Sequence, residues 1–233
     1  MWSLTPAESA ALVLSLKVAF WSVAASLPLG VALAWLLSRR QFFGKSLLDA
    51  VVHLPLVLPP VVVGYFLLLL LGRRGAIGSL LEEYLGITLA FRWTGAAVAS
   101  AVMGLPLLVR AVRQSLDAVD RGLEEAAATL GAPPAWVFAS VTLPLILPGI
   151  LTGVLLSFAR SLGEFGATIT FVSNIPGETQ TLPLAIYAFT QVPGGDERAM
   201  HLCIVSIVLS LAALMASELL LRRANVRAAG LDA

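Results

Sequence analysis

Residues 124–144 read EEAAATLGAPPAWVFASVTLP, and this pattern is the most informative one in the chain. Alanine is the best helix former, and a glycine can take the positive φ that ends a helix. Pro133 and Pro134 prevent the helix from continuing, and Pro134 suits the first turn of a second helix. The pattern therefore predicts two short helices joined at Gly131, within a polar loop that spans residues 117–140.

The residues at the two ends of this loop support the same prediction. Asp120 is a predicted N-cap, and Glu124 and Glu125 lie in the first turns of the helix, where its dipole favours carboxylates. Trp136 and Phe138 are expected to give the second helix its apolar contacts. The result is a compact helix–glycine–helix unit, here called the knob, whose small side chains would let another protein approach closely.

The composition of the whole chain is that of a membrane protein. Hydrophobic residues make up 58% of the 233 residues and charged residues 12%, about half of what a soluble domain carries. A chain of this length has too little polar surface to cover a soluble core. We therefore expect an all-α, polytopic membrane protein with a single transmembrane domain over residues 10–221.

Five stretches are long and apolar enough, or nearly so, to cross a bilayer, which takes about 20 residues. They are residues 10–37, 50–71, 94–109, 141–162 and 200–221. A further apolar patch, residues 182–189, is too short to span the bilayer. It predicts a re-entrant or surface helix within an external segment of residues 163–199.

The distribution of lysine and arginine predicts the orientation, because these residues are commoner in cytoplasmic loops. With five spans and the N-terminus outside, nine basic residues fall in cytoplasmic segments and four in external ones. The reverse orientation would exchange these numbers. We therefore expect an external N-terminus, a cytoplasmic C-terminus and a cytoplasmic knob, with Arg73 and Arg74 as the main counter-evidence.

Several classes of function lack the residues that they need. The sequence has no basic stripe for nucleic acid, and no catalytic set of side chains at membrane depth. His53 and His201 have no second ligand at metal spacing, and the single Cys203 excludes an intrachain disulfide. No G-x-x-x-x-G-K-[ST] phosphate loop is present, so the chain is not expected to be an ATPase. We expect no catalytic residue, metal or cofactor in this chain.

The spacing within the knob resembles the EAA loop of ABC importer permease subunits. Residues 125–127 are Glu-Ala-Ala, Gly131 follows after three residues, and Val141 follows after nine more, where the family usually has isoleucine. The resemblance implies a type I ABC importer permease fold. It also implies a set of positions that couple to an ATPase: Glu124, Glu125, Ala126, Ala127, Gly131, Leu143 and Pro144.

Three other segments look like the molybdate permease subfamily and extend the resemblance over almost the whole chain. They are residues 54–64 (LPLVLPPVVVG), 160–168 (RSLGEFGAT) and 173–179 (SNIPGET). Sulfate permeases are similar in the last two segments, which therefore indicate importers of tetrahedral oxyanions in general. The proline-rich second span and the length favour molybdate, with tungstate and sulfate permeases as alternatives.

The family resemblance also implies partners. Family members are homodimers whose paired subunits line one translocation path, and the knob resembles the coupling helix that docks in a cleft of a cytoplasmic ATPase subunit. That ATPase would bind the ATP and magnesium, and an external molybdate-binding protein would deliver the anion. The chain would lie in the bacterial inner membrane, where ATP shifts it between inward-facing and outward-facing states.

Candidate residues of the translocation path lie in the second span and around the end of the fourth. Prolines that bend a helix at membrane depth favour a pore-lining role. Arg160 and Glu164 can pair across one helical turn, and the pair either fixes the helix or attracts the anion. The structural role is favoured, because conduction needs weak sites. The candidates are Pro55, Pro59, Pro60, Arg160, Gly163, Glu164, Gly166, Thr168, Ser173 and Asn174.

Two other classes of transport protein stay open. A proton-coupled secondary anion transporter would use Arg160, Glu164 and His53, but the inverted repeats of many such proteins are not seen. A channel without energy coupling is the other alternative. Neither class explains the spacing within the knob.

Overall fold

The computed structural model describes the backbone of residues 4–229 and the side chains of residues 4–215. Within this range the chain forms eleven α-helices, one π-helical turn and no β-strand, which confirms the all-α prediction. The helices are α1 Pro6–Arg39, α2 Lys45–Val57, α3 Pro60–Leu71, α4 Gly78–Leu85, α5 Trp93–Ala118, α6 Arg121–Thr129, α7 Pro134–Val137, α8 Leu143–Leu162, α9 Gly166–Val172, α10 Leu182–Thr190 and α11 Asp196–Ala229, with the π turn at Phe138–Thr142.

The centre of the bundle is formed by α1, α5 and α8, which pack against one another. Small residues allow this close approach. A Cβ added to Gly30 of α1 would lie 2.6 Å from Leu108 of α5, and one added to Gly153 of α8 would lie 2.8 Å from the same side chain. Small residues at helix contacts are typical of membrane bundles, where packing rather than the hydrophobic effect holds the helices together.

Four helical runs of the described chain are long and apolar enough to cross a membrane: α1, α5, residues 134–162 and the described part of α11. Three of them, α1, α5 and residues 134–162, contain the predicted first, third and fourth spans, and the run in α11 covers residues 200–215 of the predicted fifth span. The helix of the third span is longer than the predicted stretch, because α5 continues to Ala118 as an amphipathic helix. Helix α10 covers the predicted short apolar patch and is too short to span, as expected.

The second predicted span is a broken pair of helices rather than one bent helix. Helices α2 and α3 meet at Leu58 and Pro59 with a bend of 117°. Pro59 and Pro60 have no N–H, so the carbonyls of the preceding turn lose their helical donors and α2 ends at Val57. The pair still passes from one half of the bundle to the other, because Val52 and Leu67 belong to different core clusters.

The second helix of the knob is not separate from the fourth span, contrary to the prediction. Helix α7 continues through the π turn directly into α8, as one apolar run of residues 134–162. In the π turn the Leu143 N–H donates to the Phe138 carbonyl, five residues back. The proline ring of Pro144 would clash with the carbonyl four residues earlier in a regular α-helix, and the wider turn accommodates it.

The two ends of the bundle carry different sets of polar contacts. At the end that bears the knob, Arg39 at the close of α1 lies 3.0 Å from Glu124 of α6. At the opposite end, the Lys17 ammonium lies 3.6 Å from the centre of the Trp93 ring, and Ser15 accepts a hydrogen bond from the Leu182 N–H. The end of α1 and the start of α5 thus lie at opposite ends of the bundle, which agrees with five passes across the membrane. Which end faces the cytoplasm stays a prediction from the charges.

Candidate functional site

The knob has the architecture that its sequence predicts. The Asp120 carboxylate accepts a hydrogen bond of 2.8 Å from the Gly122 N–H and caps α6. Helix α6 ends at Thr129, and Gly131 has a φ of +85°, in the left-handed region that favours glycine. The Ala132 N–H then donates back to the Ala127 carbonyl, which closes the turn. Pro134 is the first residue of α7, as expected.

Glu124 attaches the knob to two long helices. Its Oε1 accepts a hydrogen bond of 2.7 Å from the Thr142 hydroxyl, in the π turn, and one of 3.0 Å from the Arg39 guanidinium, at the end of α1. Arg39 is 10% exposed and Glu124 22%. Sequence reasoning gave Glu124 a role in the knob but missed both of its partners, because they lie 85 and 18 residues away along the chain.

Replacing Glu124 with alanine is therefore expected to loosen the knob. The change removes two hydrogen bonds and leaves the Arg39 guanidinium largely buried without a carboxylate, which should cost about 1.5–3 kcal/mol. Hydrogen exchange of the amides of residues 121–142 measures this opening directly. The matched control is Glu125→Ala, since Glu125 is exposed and has no hydrogen bond or ion pair within the described side chains. Equal exchange in both variants would contradict the proposed attachment.

The tip of the knob exposes large apolar side chains. Leu130 is 89% exposed, Trp136 57% and Leu123 50%. The prediction that Trp136 packs inward is wrong, because Val137 is the residue of α7 that the bundle buries. Ala126 is exposed and Ala127 half-buried, so beside this tip the surface of α6 carries only short side chains. Exposed apolar groups of this size on a rigid element are typical of a protein docking surface.

A second polar cluster fixes the helix ends beside the knob. The Arg113 guanidinium of α5 lies 2.9 Å from the Asp49 carboxylate of α2 and 3.8 Å from Asp117. Asp117 also accepts a hydrogen bond from Ser38 of α1. His53, a candidate in the secondary-transporter alternative, contacts Asp49 within its own helix. The cluster joins α1, α2 and α5, and sequence analysis did not find it.

The segments around residues 54–64 and 160–168 come together in space. A Cβ added to Gly64 of α3 would lie 2.5 Å from the Ala167 carbonyl of α9, and one added to Gly166 would lie 2.8 Å from the Pro60 ring. The two glycines therefore allow the backbones of α3 and α9 to touch. Pro59 and Pro60 form the break directly beside this contact, whereas Pro55 lies inside α2.

Arg160 and Glu164 form the ion pair that their spacing predicts. The Arg160 Nη1 lies 2.6 Å from the Glu164 Oε2, and the other carboxylate oxygen accepts a hydrogen bond of 2.7 Å from the Ala167 N–H. The Glu164 side chain is only 1% exposed and Arg160 27%. The carboxylate thus caps the start of α9 while the guanidinium neutralises it. This geometry supports a structural role, and a role toward an anion stays a prediction.

The chain leaves the helical conformation at residues 163–165, between the end of α8 and the start of α9. Gly163 has a φ of −91°, so the break does not use the conformational freedom of glycine. The Thr168 hydroxyl donates to the Phe165 carbonyl, and the Asn174 amide donates to the Leu184 carbonyl. Ser173 ends α9 with a φ of +64°. The Thr168 hydroxyl and the Asn174 amide N–H thus have backbone partners, whereas the buried Asn174 Oδ1 has none. The place of these residues in the translocation path stays a prediction.

The chain is similar to known membrane transport proteins over most of its length. A model of the family described as binding-protein-dependent transport system inner membrane component matches residues 26–226. The molybdenum transport system permease protein ModB of Escherichia coli (strain K12) is 59% identical over 225 residues, which cover 97% of this chain and 98% of the relative. The protein of the same name from Haemophilus influenzae is 57% identical and covers 93% of this chain and 94% of that one.

More distant relatives and solved structures agree with this assignment of fold. A sulfate transport system permease protein, CysW of Synechococcus elongatus, is 43% identical over 74% of this chain and 60% of its own length. A bacterial ABC transporter involved in alginate import superimposes with a TM-score of 0.73 at 17% identity, over 94% of this chain and 80% of that chain. The MetNI methionine ABC transporter gives 0.69 at 18% identity, over 96% and 97%. These two likenesses show the fold alone.

Proposed function

This chain belongs to the binding-protein-dependent transport system inner membrane components, and we propose that it forms the membrane path of an ATP-driven importer for molybdate. It is a multi-pass protein of the bacterial inner membrane. The observation that carries the choice of substrate is the 59% identity to molybdenum permeases over nearly the whole of both chains. The sulfate permease matches at 43% over a smaller part.

In this proposal the knob receives a cytoplasmic ATPase subunit. The exposed apolar tip of Leu123, Leu130 and Trp136 would enter a cleft of the ATPase, and Gly131 would let the two surfaces meet closely. ATP and magnesium would be bound by that subunit. Apolar anchors at the centre of a contact carry most of the energy of such interfaces, which makes the tip the main source of affinity.

The movement of the knob would reach the membrane by two connections. One is the continuous helical run from Pro134 to Leu162, which carries a displacement of the knob directly into α8. The other is Glu124, which joins α6 to Arg39 at the end of α1. ATP binding would favour one arrangement of these helices and hydrolysis the other, because a ligand shifts a two-state equilibrium only by its differential affinity.

A second copy of the chain would complete the path. Helices α2 and α3 expose apolar side chains on both sides of their break, including Val57 at 82% and Phe66 at 53%. In a homodimer this broken pair and the α3–α9 contact would line the route of the anion, and weak polar contacts there would let it pass. An external binding protein would deliver the anion at the end that carries residues 173–179.

Uptake by proteoliposomes tests this proposal. The permease, its ATPase and the binding protein are reconstituted together, and labelled molybdate is counted inside the vesicles with and without ATP. We expect uptake that requires ATP, is unaffected by a protonophore, and is competed by tungstate more than by sulfate. Uptake that needs a proton gradient and no ATP would overturn the proposal in favour of a secondary transporter. Native mass spectrometry of the complex counts the permease copies, two being expected.

A further inference from the structure

A large apolar groove lies between α1 and the first half of α8, and the knob closes one end of it. Its volume is about 1340 Å³, larger than the 300–1,000 Å³ of usual small-molecule pockets. The walls are formed by Leu27 and Val31 of α1 and by Leu147 and Ile150 of α8. Both helices are membrane spans, so the groove lies within the bilayer region and the described residues leave it open.

The end of the groove beside the knob is basic. Arg40 and Arg121 lie there, and neither has a carboxylate partner among the described side chains. Arg39 is neutralised by Glu124, so the remaining carboxylate among the residues that line the groove is the exposed Glu125. The end of the groove therefore carries a net charge of +1 beside an otherwise apolar interior. Trp35 lies at the same level, with the Arg40 guanidinium 5.5 Å from its ring centre, a typical residue of the headgroup region.

The length of the groove matches one leaflet. From Leu27 to Arg40 the helix rises about 20 Å at 1.5 Å per residue. One half of the hydrocarbon core is about 15 Å thick, to which the headgroup adds. An amphipathic molecule with an anionic head at Arg40 and Arg121 and apolar chains along the two helices fits this pattern of charge and depth.

We infer that this groove binds an anionic phospholipid, with its phosphate between Arg40 and Arg121 and its acyl chains along α1 and α8. Basic pockets between membrane helices recognise such headgroups. The bound lipid would also support the knob, since Glu124, which holds α6 to α1, borders the same groove. The inference needs only the membrane location of the chain and is independent of its substrate.

Native mass spectrometry of the permease complex, released from mixed bilayers of phosphatidylglycerol and phosphatidylcholine, measures the lipid that stays bound. We expect selective retention of phosphatidylglycerol by the wild type. Each arginine should contribute about fivefold, so Arg40→Gln with Arg121→Gln should weaken retention about 25-fold. Arg73→Gln with Arg74→Gln removes two charges from the α3–α4 turn at the opposite end and should change nothing. Ala32→Phe fills the groove without a change of charge and should also displace the lipid.

Three outcomes would overturn this inference. Equal retention of phosphatidylcholine would mean that the groove does not select charge. Unchanged retention in the arginine double variant would place any bound lipid elsewhere. A wild-type complex that holds no lipid would mean that protein covers the groove. The permease alone can be measured in the same way, so a failure of the lipid inference is distinguishable from a failure to bind an ATPase.

Discussion

Replacing Gly131 with aspartate is expected to abolish ATP-driven uptake without unfolding the bundle. The φ of +85° costs an L residue about 1–2 kcal/mol, and aspartate tolerates this region better than most residues. A Cβ at this position would have no atom within 4 Å, so the chain itself accommodates the change. The large effect arises in the complex, because the variant places a charge at the centre of the proposed docking surface.

The size of this effect follows from what such contacts contribute. Central interface positions cost about 2–4 kcal/mol when disrupted, which corresponds to roughly 30- to 700-fold weaker binding. Retention of the ATPase on the purified permease measures the loss, and uptake measures its consequence. The control is Gly86→Asp, which has a φ of +65° and equally open surroundings away from the knob. An identical loss of ATPase retention in both variants would mean that backbone strain causes the effect. Normal ATPase retention by the Gly131 variant would mean that the knob is not part of the docking surface.

Replacing Arg160 with leucine is expected to destabilise the protein strongly. It leaves the Glu164 carboxylate, which is 1% exposed, without its neutralising guanidinium. Removing one partner of a buried pair costs about 3–5 kcal/mol, because the remaining charge is not solvated. Thermal unfolding in detergent, followed by size-exclusion chromatography, measures the loss. Arg160→Lys keeps a positive charge and should lose much less.

The double variant Arg160→Leu with Glu164→Leu separates the two roles considered for this pair. It removes both charges and should recover most of the lost stability, except for about 1–3 kcal/mol from the Ala167 N–H that loses its acceptor. If the pair is structural, the double variant transports molybdate with a nearly unchanged KM. If it is stable but its KM rises strongly, Arg160 attracts the anion, and the structural interpretation is wrong.

The knob could be predicted from the sequence because its determinants are local. The cap at Asp120, the turn at Gly131 and the start of α7 at Pro134 each depend on neighbours within a few residues. The Arg160–Glu164 pair was predictable for the same reason, since one helical turn separates its members. Length and hydropathy alone predicted five spans, and the described chain has four spanning runs and one broken pair of helices.

Other features depend on contacts that no local pattern contains. The spacing of Glu124 in the knob does not reveal Arg39, and the exposure of Trp136 depends on which face of α7 the bundle buries. Prolines in the second span predicted a bend, but its size of 117° reflects the packing of α3 against α9 through Gly64 and Gly166. The groove between α1 and α8 is likewise invisible in the sequence, because its walls are more than a hundred residues apart.

The π turn at Phe138–Thr142 determines toward which side of α8 the knob points. A π turn holds one more residue than an α-helical turn, and each residue of an α-helix advances by about 100°. Without that extra residue, the helix before the turn would be rotated by roughly this angle relative to buried positions such as Ile146 and Ile150. Trp136 and Leu130 would then point toward a different side of the bundle. The π turn of five residues therefore determines the direction in which the exposed tip of the knob faces.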